Sequence, residues 1–156
     1  MKDPKNIAAS IRQRLLNRAR NDNRPFNELL QYYGMERFLY RLSLSPYAQQ
    51  FILKGALMLR IWNAPESRPT MDIDMLGRTS NEEERIIAQI NTILSTKVIE
   101  DGLIFNADSI KAERITEDAD YQGIRIRFTG TLETAKVHIQ LDIGFGDIIY
   151  PQPEES

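Results

Sequence analysis

The chain has 156 residues, 42% of them hydrophobic, and a formal net charge of −2. That length suits one globular domain that buries roughly 70% of its unfolded surface, and no apolar run approaches the roughly 20 residues that span a bilayer. The absence of cysteine and the single histidine, His138, exclude disulfides, zinc ribbons, thiol catalysis and imidazole-rich metal sites. The first residues have no apolar leader segment, so a cytoplasmic address is expected. The charge is unevenly spread: residues 1–60 carry 11 Lys and Arg against 4 Asp and Glu, and residues 61–156 carry 9 against 18. Either the basic half meets an anionic partner such as RNA, or it packs on the acidic half of the same molecule.

Residues 5–22 have the spacing of an amphipathic helix. Ile7, Ile11, Leu15 and Ala19 recur every four positions, flanked by Arg12, Arg14, Arg18 and Arg20. Turn formers at 21–24 and Pro25 break it. A second helix is predicted over about 26–42, with Leu29, Leu30, Tyr33, Phe38, Leu39 and Leu42 inward. Gly34 in its middle implies a kink or close packing. Ser45–Pro46 combines a cap residue with a first-turn proline and predicts a short third helix. A strand at 51–54 and a helix at 56–62 follow, then a proline-rich loop at 63–69.

The run Met71-Asp72-Ile73-Asp74-Met75-Leu76 alternates with period two, so as a strand it turns both aspartates to one face, roughly 7 Å apart. Ser80 and Glu83 read as a capping box that opens a helix to about Leu94. From Leu103 the period is again two. Strands are expected at 103–105, 109–115, 121–130 and 137–143, the last two paired antiparallel. Residues 150–156 read as an unstructured tail.

The chemistry centres on Asp72 and Asp74. Two carboxylates held that close repel each other unless a cation lies between them, and paired strand carboxylates suit Mg²⁺ or Mn²⁺ against a phosphate. Upstream, Lys54-Gly55-Ala56 follows the 51–54 strand and opens a helix, where backbone approaches a ligand closely and the helix terminus favours an anion. A third acid is expected from the last strand. Val137, Ile139, Leu141 and Ile143 fix its buried face, so Asp142 lies opposite them. Asp147 follows Gly144 and Gly146, where the strand is expected to break, so Asp142 is the expected third ligand.

The runs LKGALMLRIW…SRPTMDIDMLGR and YQGIRIRFTGTL…AKVHIQLDIGFGD resemble the nucleotidyltransferase toxins of the AbiEii/AbiGii type, within the DNA polymerase β-like nucleotidyltransferase superfamily. The resemblance spans about residues 26–151. It implies an α+β fold: a nucleotidyltransferase-like core with a mixed or antiparallel sheet, helices packed on it and an N-terminal helical segment. The implied division is a helical segment at 1–50, a catalytic core at 51–150 and a tail at 151–156. The glycine turn maps to Gly55, the Asp-x-Asp strand to Asp72 and Asp74, and the third acid to Asp142. Lys54, Gly55, Ala56, Arg68 and Thr70 then lie where they contact the triphosphate. The implied activity is transfer of a nucleoside monophosphate from an NTP to an acceptor, tRNA in some members, with a cognate antitoxin in a toxin–antitoxin or abortive-infection system.

Three features differ from the family pattern. Ala56 stands where Gly or Ser is usual, 17 residues separate Gly55 from Asp72, and members are generally longer, with a largely helical C-terminal half that completes the pocket. Either a truncated form or a minimal or degraded member, with little turnover of its own, is therefore expected. Two alternatives remain at this level: an Asp-x-Asp glycosyltransferase, which the basic helical first fifty residues argue against, and a non-catalytic remnant that binds RNA or a protein partner.

Overall fold

The computed structural model describes residues 4–53, 72–118 and 121–145. Their elements run in the order α1 (Pro4–Asp22), α2 (Phe26–Leu44), β1 (Phe51–Leu53), β2 (Asp72–Gly77), α3 (Glu83–Leu94), β3 (Leu103–Asp118), β4 (Tyr121–Leu132) and β5 (Ala135–Gly144). The five strands form one sheet in the order β1-β2-β5-β4-β3. β2 and β5 run parallel, and every other neighbouring pair is antiparallel. The fold is thus α+β with a mixed sheet.

Period-two alternation divides the sheet into an apolar and a polar side. Ile73 and Met75 of β2, Val137, Ile139, Leu141 and Ile143 of β5, and Ile124, Ile126 and Phe128 of β4 are all buried. α2 meets them with Leu30, Met35, Phe38 and Leu42, and α3 with Ile86, Ile90, Ile93 and Leu94, in one continuous core. α1 packs on α2 and reaches β4, contributing Ala8 to the core with Ile11 and Leu15 beside it. Gly34 serves close packing: a Cβ there would lie 3.0 Å from a Val137 methyl, so α2 sits tightly on β5.

Local chemistry sets the boundaries. α1 stops where Asn23 enters the left-handed region at φ 57 and the Arg24 N–H bonds back to the Ala19 carbonyl at 2.9 Å, an end that Asn tolerates. Ser45 starts no third helix. Its hydroxyl donates to the Leu42 carbonyl and accepts the Tyr47 N–H, and turns fill residues 46–50. The predicted capping box is also absent: α3 begins at Glu83 after Glu82, without a side-chain cap bond. Ser80 accepts the Glu82 N–H instead, one residue short of the capping position. The two strands expected within 103–115 are a single 16-residue strand with a register shift between Asn106 and Lys111. The predicted helix at 56–62, loop at 63–69 and tail at 150–156 lie outside the described residues.

One buried polar cluster fastens α2 to the segment before β3. The Arg41 guanidinium grips both oxygens of Asp101 at 2.8 and 3.1 Å, with 6% and 5% of these residues exposed. Asp101 also accepts the Leu103 N–H. The Tyr33 hydroxyl donates to the Asp101 carbonyl at 2.6 Å, and burial first, then the Asp101 charge, pushes its pKa up to about 12. Removing one partner of a buried pair strands the other charge. Arg41→Met is therefore expected to cost about 3–5 kcal/mol in urea unfolding, and Tyr33→Phe about 1 kcal/mol. Because folding raises the Tyr33 pKa, its contribution is complete below its ordinary 10.0 and is lost as pH rises through about 12. An Arg41→Met protein within 1 kcal/mol of wild type, on the scale of a single neutral hydrogen bond, contradicts this role.

Candidate functional site

The polar side of the sheet carries no helix among the described residues, and its side chains fall into rows. In the first row Asp74 of β2 pairs in register with Asp142 of β5, Asp142 with Arg125 of β4, and Arg125 with Glu113 of β3. The second row, two residues back, is Asp72, Gln140, Arg127 and Lys111. Neighbouring strands lie roughly 4.8 Å apart, so Asp72, Asp74 and Asp142 occupy one corner of one face. Asp74 and Asp142 each lie between buried apolar residues, and Asp72 is followed by buried Ile73, so their strands are held against the helices, a rigid setting for groups that must keep their geometry.

The three carboxylates differ in their partners. Among the described residues, Asp72 and Asp74 make no hydrogen bond or ion pair, and both are exposed. Asp142 is half-buried and accepts two bonds from Arg125, Nε to Oδ1 at 2.8 Å and Nη2 to Oδ2 at 3.1 Å. That fork in turn pushes the Arg125 guanidinium further up from its ordinary range. In the second row Arg127 donates to Gln140 at 3.0 Å and lies 3.8 Å from Glu113. An open groove of about 650 Å³ runs from Asp72 past Gln140 and Arg127 to Lys111 and His138.

The Asp72 carboxyl is held above the usual carboxylate range. Partial desolvation against the sheet is the main cause, and the Asp142 charge comes next; Asp74 adds to it, while Arg125 and Arg127 oppose it. Oxygen donors of this kind, on one rigid corner and repelling one another, fit a hard divalent cation in type. Their oxygens stand apart in this structure. Among the described residues, no group of three His, Asp or Glu side chains is gathered closely enough to hold a metal ion. The two Asp142 oxygens face Arg125.

Lys54, Gly55, Ala56, Arg68, Thr70 and Asp147 lie outside the described residues. The arginines of α1 are in part committed locally: Arg12 lies 3.8 Å from Glu133 and over the Phe26 ring, and Arg18 bonds Asp22 at 3.2 Å. Sequence alternation alone puts Arg125 and Arg127 on the polar face of their strand and assigns them no role. A signal for the Arg125 pairing is nevertheless present. Glu133 and Thr134 form the turn between β4 and β5, and Arg125 and Asp142 are equidistant from it, as antiparallel pairing requires.

No described helix is long and apolar enough to cross a membrane. Residues 37–156 match the family model described as nucleotidyl transferase AbiEii toxin, type IV TA system. Comparison with curated proteins and with solved structures gives no match.

Folding that raises an acid's pKa gives stability that is present below the unfolded value and lost as pH rises through the folded one. Ionised Asp72 therefore opposes folding at neutral pH. Asp72→Asn is expected to raise the urea midpoint at pH 7 in chelator-treated buffer, and the gain should shrink as pH falls through the raised folded value and be gone below the ordinary carboxylate range. A lowered midpoint at pH 7 contradicts the assignment.

Proposed function

The chain belongs to the AbiEii nucleotidyl transferase toxin family, and from that premise we propose that its open sheet face carries out metal-dependent transfer of a nucleoside monophosphate from an NTP to an RNA acceptor. The observation that carries this reading is the register of β2 with β5, which puts Asp72, Asp74 and Asp142 on one corner of the polar face.

In this reading Asp72, Asp74 and Asp142 hold Mg²⁺ or Mn²⁺. When bound, the cation neutralises the triphosphate and lowers the pKa of the attacking hydroxyl. Asp72, with its raised pKa, stands closest to the groove and orients the acceptor end. Lys54, Gly55, Ala56, Arg68 and Thr70 contact the triphosphate, the glycine by letting backbone approach and the cations by matching its charge. An acceptor hydroxyl attacks the α-phosphorus and gives its proton to solvent water, the bond between that phosphorus and the bridging oxygen breaks, and pyrophosphate leaves with that oxygen.

RNA as acceptor rests on the excess of basic residues in the first sixty positions, and tRNA in particular is what the family resemblance implies. The family works within a toxin–antitoxin system, so a cognate antitoxin controls the activity; abortive infection is the proposed outcome and the cytoplasm the proposed location.

The test is NTP binding by calorimetry with and without Mn²⁺. Wild type is expected to bind more tightly with the metal. Asp72→Asn combined with Asp74→Asn should remove at least about tenfold of that gain, about 1.4 kcal/mol. An unchanged metal effect in the double variant overturns the proposal and favours a non-catalytic binding role for the fold.

A further inference from the structure

Asp142 differs from its two neighbours in that both its oxygens are already engaged. Arg125 approaches it as a planar fork with two nearly parallel N–H···O bonds, the strongest arrangement available to a carboxylate and a guanidinium. Its position is set from below. Ile124 and Ile126 on either side are fully buried, and Asp142 lies between buried Leu141 and Ile143, so neither partner slides along its strand. The pair is partly shielded, with 29% of the arginine side chain and 13% of the aspartate side chain exposed. Arg127, one row away, offers its Nε to a neutral amide instead.

Mg²⁺ binds carboxylate oxygen at about 2.0–2.1 Å and carries the same sign of charge as the guanidinium. It gains Asp142 only by taking an oxygen from the fork. We propose that Arg125 is the resident counter-ion of Asp142 and competes with the divalent cation for it, so that this one residue sets the cation affinity of the three-carboxylate corner. The inference rests on the proposed cation-binding role of Asp72, Asp74 and Asp142. Arg125 acts here as a positioning residue: it holds the third carboxylate on the face and yields it when the stronger charge arrives.

The experiment is Mn²⁺ binding by electron paramagnetic resonance, without nucleotide, on wild type, Arg125→Gln, Arg125→Lys, Arg127→Gln, Asp142→Asn and the Arg125→Gln/Asp142→Asn pair. Arg125→Gln is expected to tighten Mn²⁺ binding about tenfold, and Arg125→Lys in the same direction, because the lysine keeps the charge but loses the fork. Arg127→Gln removes an equal charge from the next row and is expected to stay within about twofold of wild type, the range of a screened exposed charge. In the Asp142→Asn background, Arg125→Gln is expected to stay within about twofold, since the competitor then has no carboxylate to hold and only its screened charge remains. Equal gains from Arg125→Gln and Arg127→Gln, or no gain from either Arg125 variant, overturn the inference while leaving the cation site standing. If Arg125→Gln fails to fold, Arg125→Lys decides by the same criterion. Absence of Mn²⁺ binding in wild type and in both Arg125 variants overturns the cation site itself, and this inference with it.

Discussion

The parallel pairing of β2 with β5 is the constraint on which the candidate site depends. It sets Asp74 opposite Asp142 and Asp72 opposite Gln140. A slip of one residue would send the aspartates of β2 toward the helices and Ile73 and Met75 into solvent. Burial enforces the register. Ile73, Met75, Leu141 and Ile143 are all fully buried under α2 and α3, and each such side chain contributes about 1.5–3 kcal/mol. Together these terms outweigh the repulsion among carboxylates on the other side of the sheet, which acts through solvent and is weakened by it.

The sheet thereby separates two kinds of work. Its helix-covered side supplies stability, and its open side gathers charge where no helix among the described residues shields it. Asp72 bears the mark of that position in its raised pKa, through partial desolvation first and the Asp142 charge next. Both oxygens of Asp142 are engaged by Arg125. Groups that disfavour their own ionisation or hold a partner under tension concentrate where ligands bind. The Arg41–Asp101 pair is the contrast: it is equally well bonded, but it is enclosed and joins α2 to the start of β3, so its role is to hold the fold.

Local patterns in the sequence carried much of this. Four-residue spacing in α1, the turn formers and Pro25 ahead of α2, and the alternation in β4 and β5 each depend on near neighbours, and the elements formed within a few residues of the predicted bounds. The face shared by Asp72, Asp74 and Asp142 was legible because period two assigns a side chain's face whatever the strand pairs with. Signals that competed with other local bonds misled. Ser45 satisfies the end of α2 and the following turn, and Ser80 closes a turn before α3. The least legible features were contacts between distant positions. Arg41 and Asp101 are 60 residues apart, and neither residue's neighbours in the chain indicate that they meet. Arg125 and Asp142 were within reach, since the turn between β4 and β5 defines their pairing, but alternation alone gives the two arginines a face and no partner.

The most direct test of the central claim is paramagnetic broadening of backbone amide signals by substoichiometric Mn²⁺ in the nuclear magnetic resonance spectrum. Binding at the register of β2 with β5 predicts that amides around Asp72 to Asp74 and around Gln140 to Asp142 broaden together, before any others among the described residues. Broadening of one strand without the other, or centred on the acidic first turn of α3 at Glu83 and Glu84, would contradict a cation site built across these two strands.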